Sequence, residues 1–343
     1  MKNLLIMHTG GWIGDMVLLT PALRALKSEF PDCRMTMLVL PLVRELMERN
    51  PYLDEIVVYD KRNEQKGFHS LMAIAKQLRS MAFDTTIILH PNSVNSAIIA
   101  YMAHIPKRIG LKLTGNGFFL TTKINRRPNI HEVQRYLDII LPIAGTGFFD
   151  RLEFWGIEQD DEDFAKRIIA DDLGEKVAGI NISTTWQTKQ WKIERFAHLA
   201  ELLYDQLGIK SILTGGKSDA QSGQKIIEIA SNSDEYILDF TGKTTLWQLG
   251  AIIKHCNFYI TCDSGPMHIS SALGTPTITL FGPTDPIRHR PYGEGNIVIK
   301  KDMKCSPCYK RECKNRDFAC MDAIQVEDVY KITKALAIKQ TGD

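Results

Sequence analysis

No stretch of this 343-residue chain approaches the roughly 20 consecutive apolar residues that a membrane-spanning helix needs. Charge of one sign is not in excess either. Its 42 Lys and Arg stand against 40 Asp and Glu, a formal net charge of +2, which gives no electrostatic footprint for duplex binding and no polybasic membrane anchor. Nucleic acid is therefore not an expected partner. The opening residues, MKNLLIMHTGGW, hold an apolar run shorter than that of a secretory signal and no small-residue cleavage site, so a cytoplasmic, soluble protein is expected. Low-complexity tracts and short-period repeats are lacking, which excludes solenoids and linker-rich chains. The dinucleotide fingerprint G-x-G-x-x-G is lacking as well: the glycines of the first loop stand at 10, 11 and 14. Gly242-Lys243-Thr244 fails as a Walker loop because Ile237 occupies the place of its first glycine. The missing dinucleotide fingerprint argues against a nicotinamide-dependent dehydrogenase.

What is present is an apolar share of 44%, in a chain too long for one compact core. Short apolar runs alternate with amphipathic stretches from the first residue: Leu4 to His8 then Asp15 to Glu29, Met35 to Leu40 then Leu42 to Arg49, Thr86 to His90 then Val94 to His104. The alternation restarts at Val177 and runs through the strands Ser211 to Thr214, Tyr236 to Phe240, Phe258 to Cys262 and Thr277 to Phe281. Strand, helix, strand is the signature of a parallel sheet covered on both faces. Two doubly wound α/β domains are expected, residues 1–160 and 175–325, followed by one amphipathic helix in 326–343. Ligands of such sheets bind beyond the carboxyl ends of the strands.

Four strings occupy such loops or stand apart from the alternation. His8-Thr9-Gly10-Gly11-Trp12-Ile13-Gly14-Asp15 follows the first strand and opens a helix, with glycines that permit close backbone approach. Asp15 there is either a charge favoured by the helix dipole or a general base. Ser183-Thr184-Thr185-Trp186-Gln187-Thr188-Lys189 offers hydroxyls, amides and one lysine to phosphate oxygens, or else is a capped helix start with tryptophan packing. Thr261-Cys262-Asp263-Ser264-Gly265-Pro266-Met267-His268 couples an acid, a hydroxyl and a glycine to a proline-primed helix start, an anion site to which His268 adds a donor. Finally, Cys305, Cys308, Cys313 and Cys320 fall within sixteen residues. In a reducing compartment they hold either a structural zinc or four reduced thiols. The other three of the seven cysteines, Cys33, Cys256 and Cys262, sit singly in apolar stretches and read as core.

Gly11-Trp12-Ile13-Gly14-Asp15, Thr20-Pro21-Ala22-Leu23-Arg24, His90-Pro91-Asn92-Ser93, His131-Glu132, Thr184-Thr185 with Lys189 and Trp191, and Asp263 through His268 with Phe281-Gly282-Pro283-Thr284-Asp285-Pro286 together resemble glycosyltransferase family 9. These are the ADP-heptose:lipopolysaccharide heptosyltransferases, and Trp12 and the four cysteines are most similar to the second subgroup. The resemblance implies a GT-B fold, an acceptor domain and a donor domain across a cleft, with the final helix returning to the first. It implies inverting transfer of L-glycero-D-manno-heptose from ADP-heptose to the lipopolysaccharide inner core, with no metal required for catalysis. Asp15 then matches the base. Gly14, Thr184, Thr185, Lys189, Asp263, Ser264, Gly265 and His268 match the donor-binding positions, and Asp219 of Gly215-Gly216-Lys217-Ser218-Asp219 the ribose-binding acid. One departure is local: many members carry Arg or Lys shortly before the Gly-Asp pair, where this chain has His8 and Thr9. The lysines and arginines of 304–316 could offer peripheral contact with the inner membrane. Two alternatives stay open: a GT-B enzyme using another nucleotide sugar, and a zinc-dependent interaction protein centred on the cysteines.

Overall fold

The computed structural model describes residues 1–60, 67–90, 93–145, 151–169 and 176–341. Two units emerge, Met1–Gly156 and Ile157–Asp343. In the first, β1 (Asn3–Met7), β2 (Arg34–Val39), β3 (Glu55–Val58), β4 (Thr85–Ile88), β5 (Lys107–Leu111) and β6 (Thr122–Ile124) form one sheet. Its spatial order is β3-β2-β1-β4-β5-β6, parallel throughout. The second unit holds β7 (Val177–Asn181), β8 (Lys210–Thr214), β9 (Ile237–Asp239), β10 (Phe258–Cys262), β11 (Thr277–Phe281) and β12 (Ile297–Lys300). Their order is β12-β11-β10-β7-β8-β9, again all parallel. Counted within each unit, both sheets run 3-2-1-4-5-6, the order that reverses direction beside the first strand. The central strands are continuous apolar runs because helices cover both faces; Leu4, Leu5, Ile6 and Met7 of β1 are all fully buried.

Three strands escape the alternation: β5, β6 and β12. They are short and partly polar, and β6 and β12 lie at sheet edges, where one flank needs no apolar cover. The stretch from Asp15 to Glu29 is two helices, Ile13–Leu18 and Thr20–Glu29, broken at Leu19. Pro21 is the cause, since it has no N–H to give the carbonyl of Val17 four residues back. The Thr20 hydroxyl takes that carbonyl instead, at 2.8 Å, and accepts the Glu153 N–H at 3.1 Å.

The domain limits also differ from expectation. Helix Gln159–Ile168 belongs to the second unit, where Glu162 meets Lys254 Nζ at 2.6 Å and His255 Nε2 at 2.7 Å, so the boundary falls at residue 156. The final helix, Val326–Thr341, packs against helix Ile193–Leu207 of the same unit. Val329 and Thr333 are fully buried there. Pro91 and Asn92 of the His90–Ser93 string lie outside the described residues. Among the described residues, no helix is long and apolar enough to cross a membrane. Cys33, Cys256 and Cys262 are buried as expected, and burial pushes the Cys256 and Cys262 thiols up to about 12.

Because Thr20 serves a buried carbonyl and a neighbouring amide at once, Thr20→Val leaves both without this partner. Urea denaturation should show a loss of about 1–3 kcal/mol, and an unchanged midpoint would remove the hydroxyl from that role.

Candidate active site

In each unit the strand order reverses between two neighbours, β1 and β4 in the first, β7 and β10 in the second. Three of the chemistry-bearing strings follow β1, β7 and β10, the carboxyl ends that flank those crevices.

In the first unit, Asp15 lies in the first turn of helix Ile13–Leu18, with its side chain 28% exposed, so it both suits the helix dipole and reaches solvent. Gly14 is buried in the same turn. His8, fully buried directly after β1, places Nε2 at 4.0 Å from Asp15 Oδ2. Tyr136 Oη lies 3.3 Å from the same nitrogen, and the His90 ring stands edge-on to His8 at 5.2 Å between centroids. Gly10 lets these groups converge. A Cβ there would fall 2.8 Å from His8 Cε1, 2.9 Å from His90 Cδ2 and 3.2 Å from Asp15 Oδ2. Gly11 has φ +75°, and a Cβ on it would meet Leu40 Cδ1 at 2.7 Å. Behind this loop the hydroxyls of Thr9, Ser93 and Ser96 form a buried cluster, with Ser93 also accepting the Ser96 N–H as a helix cap.

In the second unit, Lys189 Nζ meets Asp263 Oδ2 at 2.7 Å, with the two side chains only 14% and 8% exposed. The Thr284 hydroxyl donates to the same carboxylate oxygen at 2.6 Å. Burial opposes the charge on Asp263, but the ammonium of Lys189, the nearby His289 and the two hydrogen bonds hold its carboxyl below the usual range. Lys189 also lies over the Trp186 ring at 4.5 Å, and the Arg311 guanidinium over the same ring at 5.4 Å. Ser264 is the N-cap of helix Gly265–Leu273, which has Pro266 in its first turn. Asn181, at the end of β7, donates through Nδ2 to Ser264 Oγ, Thr261 Oγ1 and the Ser183 carbonyl, joining the β7 and β10 loops. His268 is buried within the helix.

Several hydroxyls and acids expected to face a ligand are engaged within the loops. Thr184 Oγ1 donates to the Trp186 carbonyl at 2.8 Å and lies 3.2 Å from Gln190 Oε1. Asp219 Oδ2 accepts the Gly216 N–H at 2.8 Å. Thr185 is exposed. His8 and Thr284 stand in the strings read from the sequence but were given no role there, and Tyr136 and Asn181 were given none either; Asn181 carried a signal, as the one polar residue closing the apolar run VAGIN.

Cys305, Cys308, Cys313 and Cys320 line one cavity of about 200 Å³. Burial first, then the neighbouring thiols, raise Cys320 above the ordinary thiol range. Yet among the described residues no three His, Cys, Asp or Glu are gathered closely enough to hold a metal ion. As arranged, the thiols do not form a coordination sphere. The segment is tied to its surroundings by the backbone: the Cys308 and Tyr309 N–H groups donate to the Pro283 carbonyl at 3.0 and 2.9 Å. The buried Thr188 hydroxyl, beside Lys189, donates to the Lys310 carbonyl at 2.7 Å.

Two parallel six-stranded units with helices and loops of this kind define the GT-B class of glycosyltransferase architecture. The chain belongs to glycosyltransferase family 9 (heptosyltransferase), whose model matches residues 71–319, and it is accordingly a glycosyltransferase. It is 27% identical to lipooligosaccharide heptosyltransferase 2 of Campylobacter jejuni, over 97% of this chain and 99% of that one. A solved family 9 glycosyltransferase from Veillonella parvula superposes with a TM-score of 0.85 at 27% identity, covering 98% of both chains. Escherichia coli ADP-heptose lps heptosyltransferase II shares the fold with a TM-score of 0.78 at 22% identity, over 99% of this chain and 100% of that one.

Asp263→Asn would leave the Lys189 ammonium beside a neutral amide, at an expected cost of about 3–5 kcal/mol of stability. A carboxyl held low in the fold stabilises fully above its ordinary value of about 4, and that contribution is lost as pH falls through the lower folded value. Urea titrations between about pH 7 and pH 3 should show that acid loss in the wild type and a smaller one in the variant.

Proposed function

We propose that the protein transfers L-glycero-D-manno-heptose from ADP-heptose to a sugar of the lipopolysaccharide inner core, with inversion at the anomeric carbon. The observation that carries this reading is the buried Lys189–Asp263 pair beside the start of helix Gly265–Leu273, at the crevice of the second sheet. A helix start presents N–H groups that have no partner within the helix. Together with a lysine held in place, it suits a diphosphate.

In the reaction, the acceptor hydroxyl oxygen bonds to the anomeric carbon while the bond from that carbon to the diphosphate breaks. Asp15 takes the hydroxyl proton, and ADP departs carrying the bond electrons. A well-placed base contributes about 10²–10⁴ in rate. Lys189 meets the negative charge that grows on the leaving diphosphate, and one preorganised group of this kind contributes about 10²–10³. Asp263 orients Lys189; the Thr184 and Asp219 side chains shape the loops around the nucleotide. Thr185, Ser264, Gly14, Gly265 and His268 complete the donor contacts. No step requires a metal ion. Excluding water during the reaction would keep the donor from being hydrolysed.

The cysteine segment is assigned a separate, structural role. Were a zinc ion bound there, Cys305, Cys308, Cys313 and Cys320 would be the residues to hold it, as thiolates. Its side of the second unit also carries Lys304, Lys310, Arg311, Lys314 and Arg316, which suit contact with an anionic membrane surface.

Asp15→Ala should abolish turnover on a defined truncated core acceptor while calorimetry still registers ADP-heptose binding. A variant turning over at the wild-type rate takes Asp15 out of the mechanism. Lys189→Ala should weaken donor affinity as well as rate. Tighter binding of UDP or GDP than of ADP would move the enzyme to another nucleotide sugar. Metal analysis of the purified protein decides the zinc: a content well below one ion per chain leaves four reduced thiols and turnover should survive EDTA, whereas a structural zinc makes turnover EDTA-sensitive through unfolding of that loop.

A further inference from the structure

We infer that an exposed aromatic cluster on the first unit, rimmed by lysines, is a docking surface for an anionic lipid bilayer. The formal charge of +2 conceals a one-sided segment. Residues 85–131 hold six Lys and Arg, at 107, 108, 112, 123, 126 and 127, and no Asp or Glu. Within that segment the rings of Tyr101, Phe118 and Phe119 meet pairwise, with centroids 5.5 to 5.7 Å apart. Phe118 is 77% exposed and Tyr101 44%. Apolar side chains exposed singly are ordinary on a protein surface, whereas contiguous exposed ones mark a place that something covers.

The loop between β5 and β6 presents Phe118 by means of bonds made beneath it. Asn116, which is buried, accepts the Leu113 N–H on Oδ1 at 2.8 Å and donates from Nδ2 to the Leu111 carbonyl at 2.9 Å. The Phe119 N–H then donates to the Asn116 carbonyl at 3.0 Å. Arg108 of β5 donates through Nε to the Phe119 carbonyl at 2.6 Å and through Nη1 to the Ile105 carbonyl at 2.5 Å. Its guanidinium lies over the Tyr101 ring at 5.4 Å. Leu120 is buried and Phe119 packs against the core of the unit, which leaves Phe118 as the projecting member of the loop.

Lys107 on β5, Lys112 just beyond it and Lys123 on β6 are all exposed, and the strand register sets Lys123 beside Gly110. An aromatic tip with a basic rim fits the boundary between lipid headgroups and acyl chains, where rings enter and ammonium groups meet anionic headgroups. A second copy of the chain fits less well. β6 is an edge strand with a lysine at its centre, which opposes pairing with another edge, and two copies of an acid-free segment repel each other. This surface goes beyond the transfer reaction, and it is separate from residues 304–316, which belong to the second unit.

Co-sedimentation of the 343-residue chain with phosphatidylglycerol–phosphatidylcholine vesicles, without donor or acceptor, reads the contact directly. Binding is expected at about 0.1 M salt and should fall steeply toward about 1 M, where the screening length shrinks to about 3 Å. Vesicles of phosphatidylcholine alone should bind about tenfold more weakly or less. Phe118→Ser should weaken binding about five- to tenfold. The triple change Lys107→Gln, Lys112→Gln and Lys123→Gln should weaken it about tenfold or more. Because these side chains are exposed, both variants should keep the wild-type Tm and the wild-type turnover on a soluble truncated core acceptor. Should one variant lose Tm, the other decides.

Absence of binding to the anionic vesicles overturns the inference, as does wild-type binding by the Phe118→Ser chain. Binding lost only on Lys304→Gln, Lys314→Gln and Arg316→Gln overturns it in favour of the cysteine segment. A dimer that Phe118→Ser dissolves overturns it in favour of a second copy. Reduced turnover of Phe118→Ser on the soluble acceptor, with vesicle binding intact, makes the surface an acceptor subsite and likewise overturns it. Failure of the transfer reading shows up separately, as wild-type turnover in Asp15→Ala, and leaves the vesicle measurement untouched.

Discussion

A parallel sheet whose strand order reverses beside its first strand sends the following helices to opposite faces, and the gap between them is the one place where two carboxyl-end loops lie side by side. Both units of this protein obey that constraint. Asp15 owes its place to the β1 side of one such gap. Lys189 and the Gly265 helix start owe theirs to the β7 and β10 sides of the other. Asp15, Lys189 and the Gly265 helix start thus hang on three strand ends, those of β1, β7 and β10.

Around the second gap, side chains mostly hold the loops together. Thr184, Asp219, Ser264 and Asn181 all hydrogen-bond to neighbouring loop atoms. Such an arrangement costs little reorganisation when charge develops, because the dipoles are already fixed by covalent geometry and by bonds formed on folding. The Lys189–Asp263 pair is the exception. It keeps a charge in a nearly enclosed place by means of a counter-charge, a hydroxyl and an aromatic face. The carboxylate's own charge compensates the ammonium in that enclosed place.

Much of this was legible in the residues. Apolar runs of five or six residues marked the central strands because burial on both faces admits little else, and helices Ile193–Leu207 and Leu246–His255 follow their amphipathic patterns. Edge strands such as β6, with three residues, gave no such signal. The loops that bear Asp15, Lys189 and Asp263 stood out through glycine, hydroxyl and proline spacing. The meeting of His8 with Tyr136, 128 residues away, could not, since pattern carries no information on which distant helix closes over a strand end. For the final helix, likewise, amphipathicity states that a face is buried and is silent on the partner.

The hydrogen bond from Thr188 to the Lys310 carbonyl, and the guanidinium of Arg311 over the Trp186 ring, fasten the thiol-bearing segment to the turn that carries Lys189. The conformation of that turn is therefore specified from more than 120 residues further along the chain, by a segment that itself belongs to no sheet.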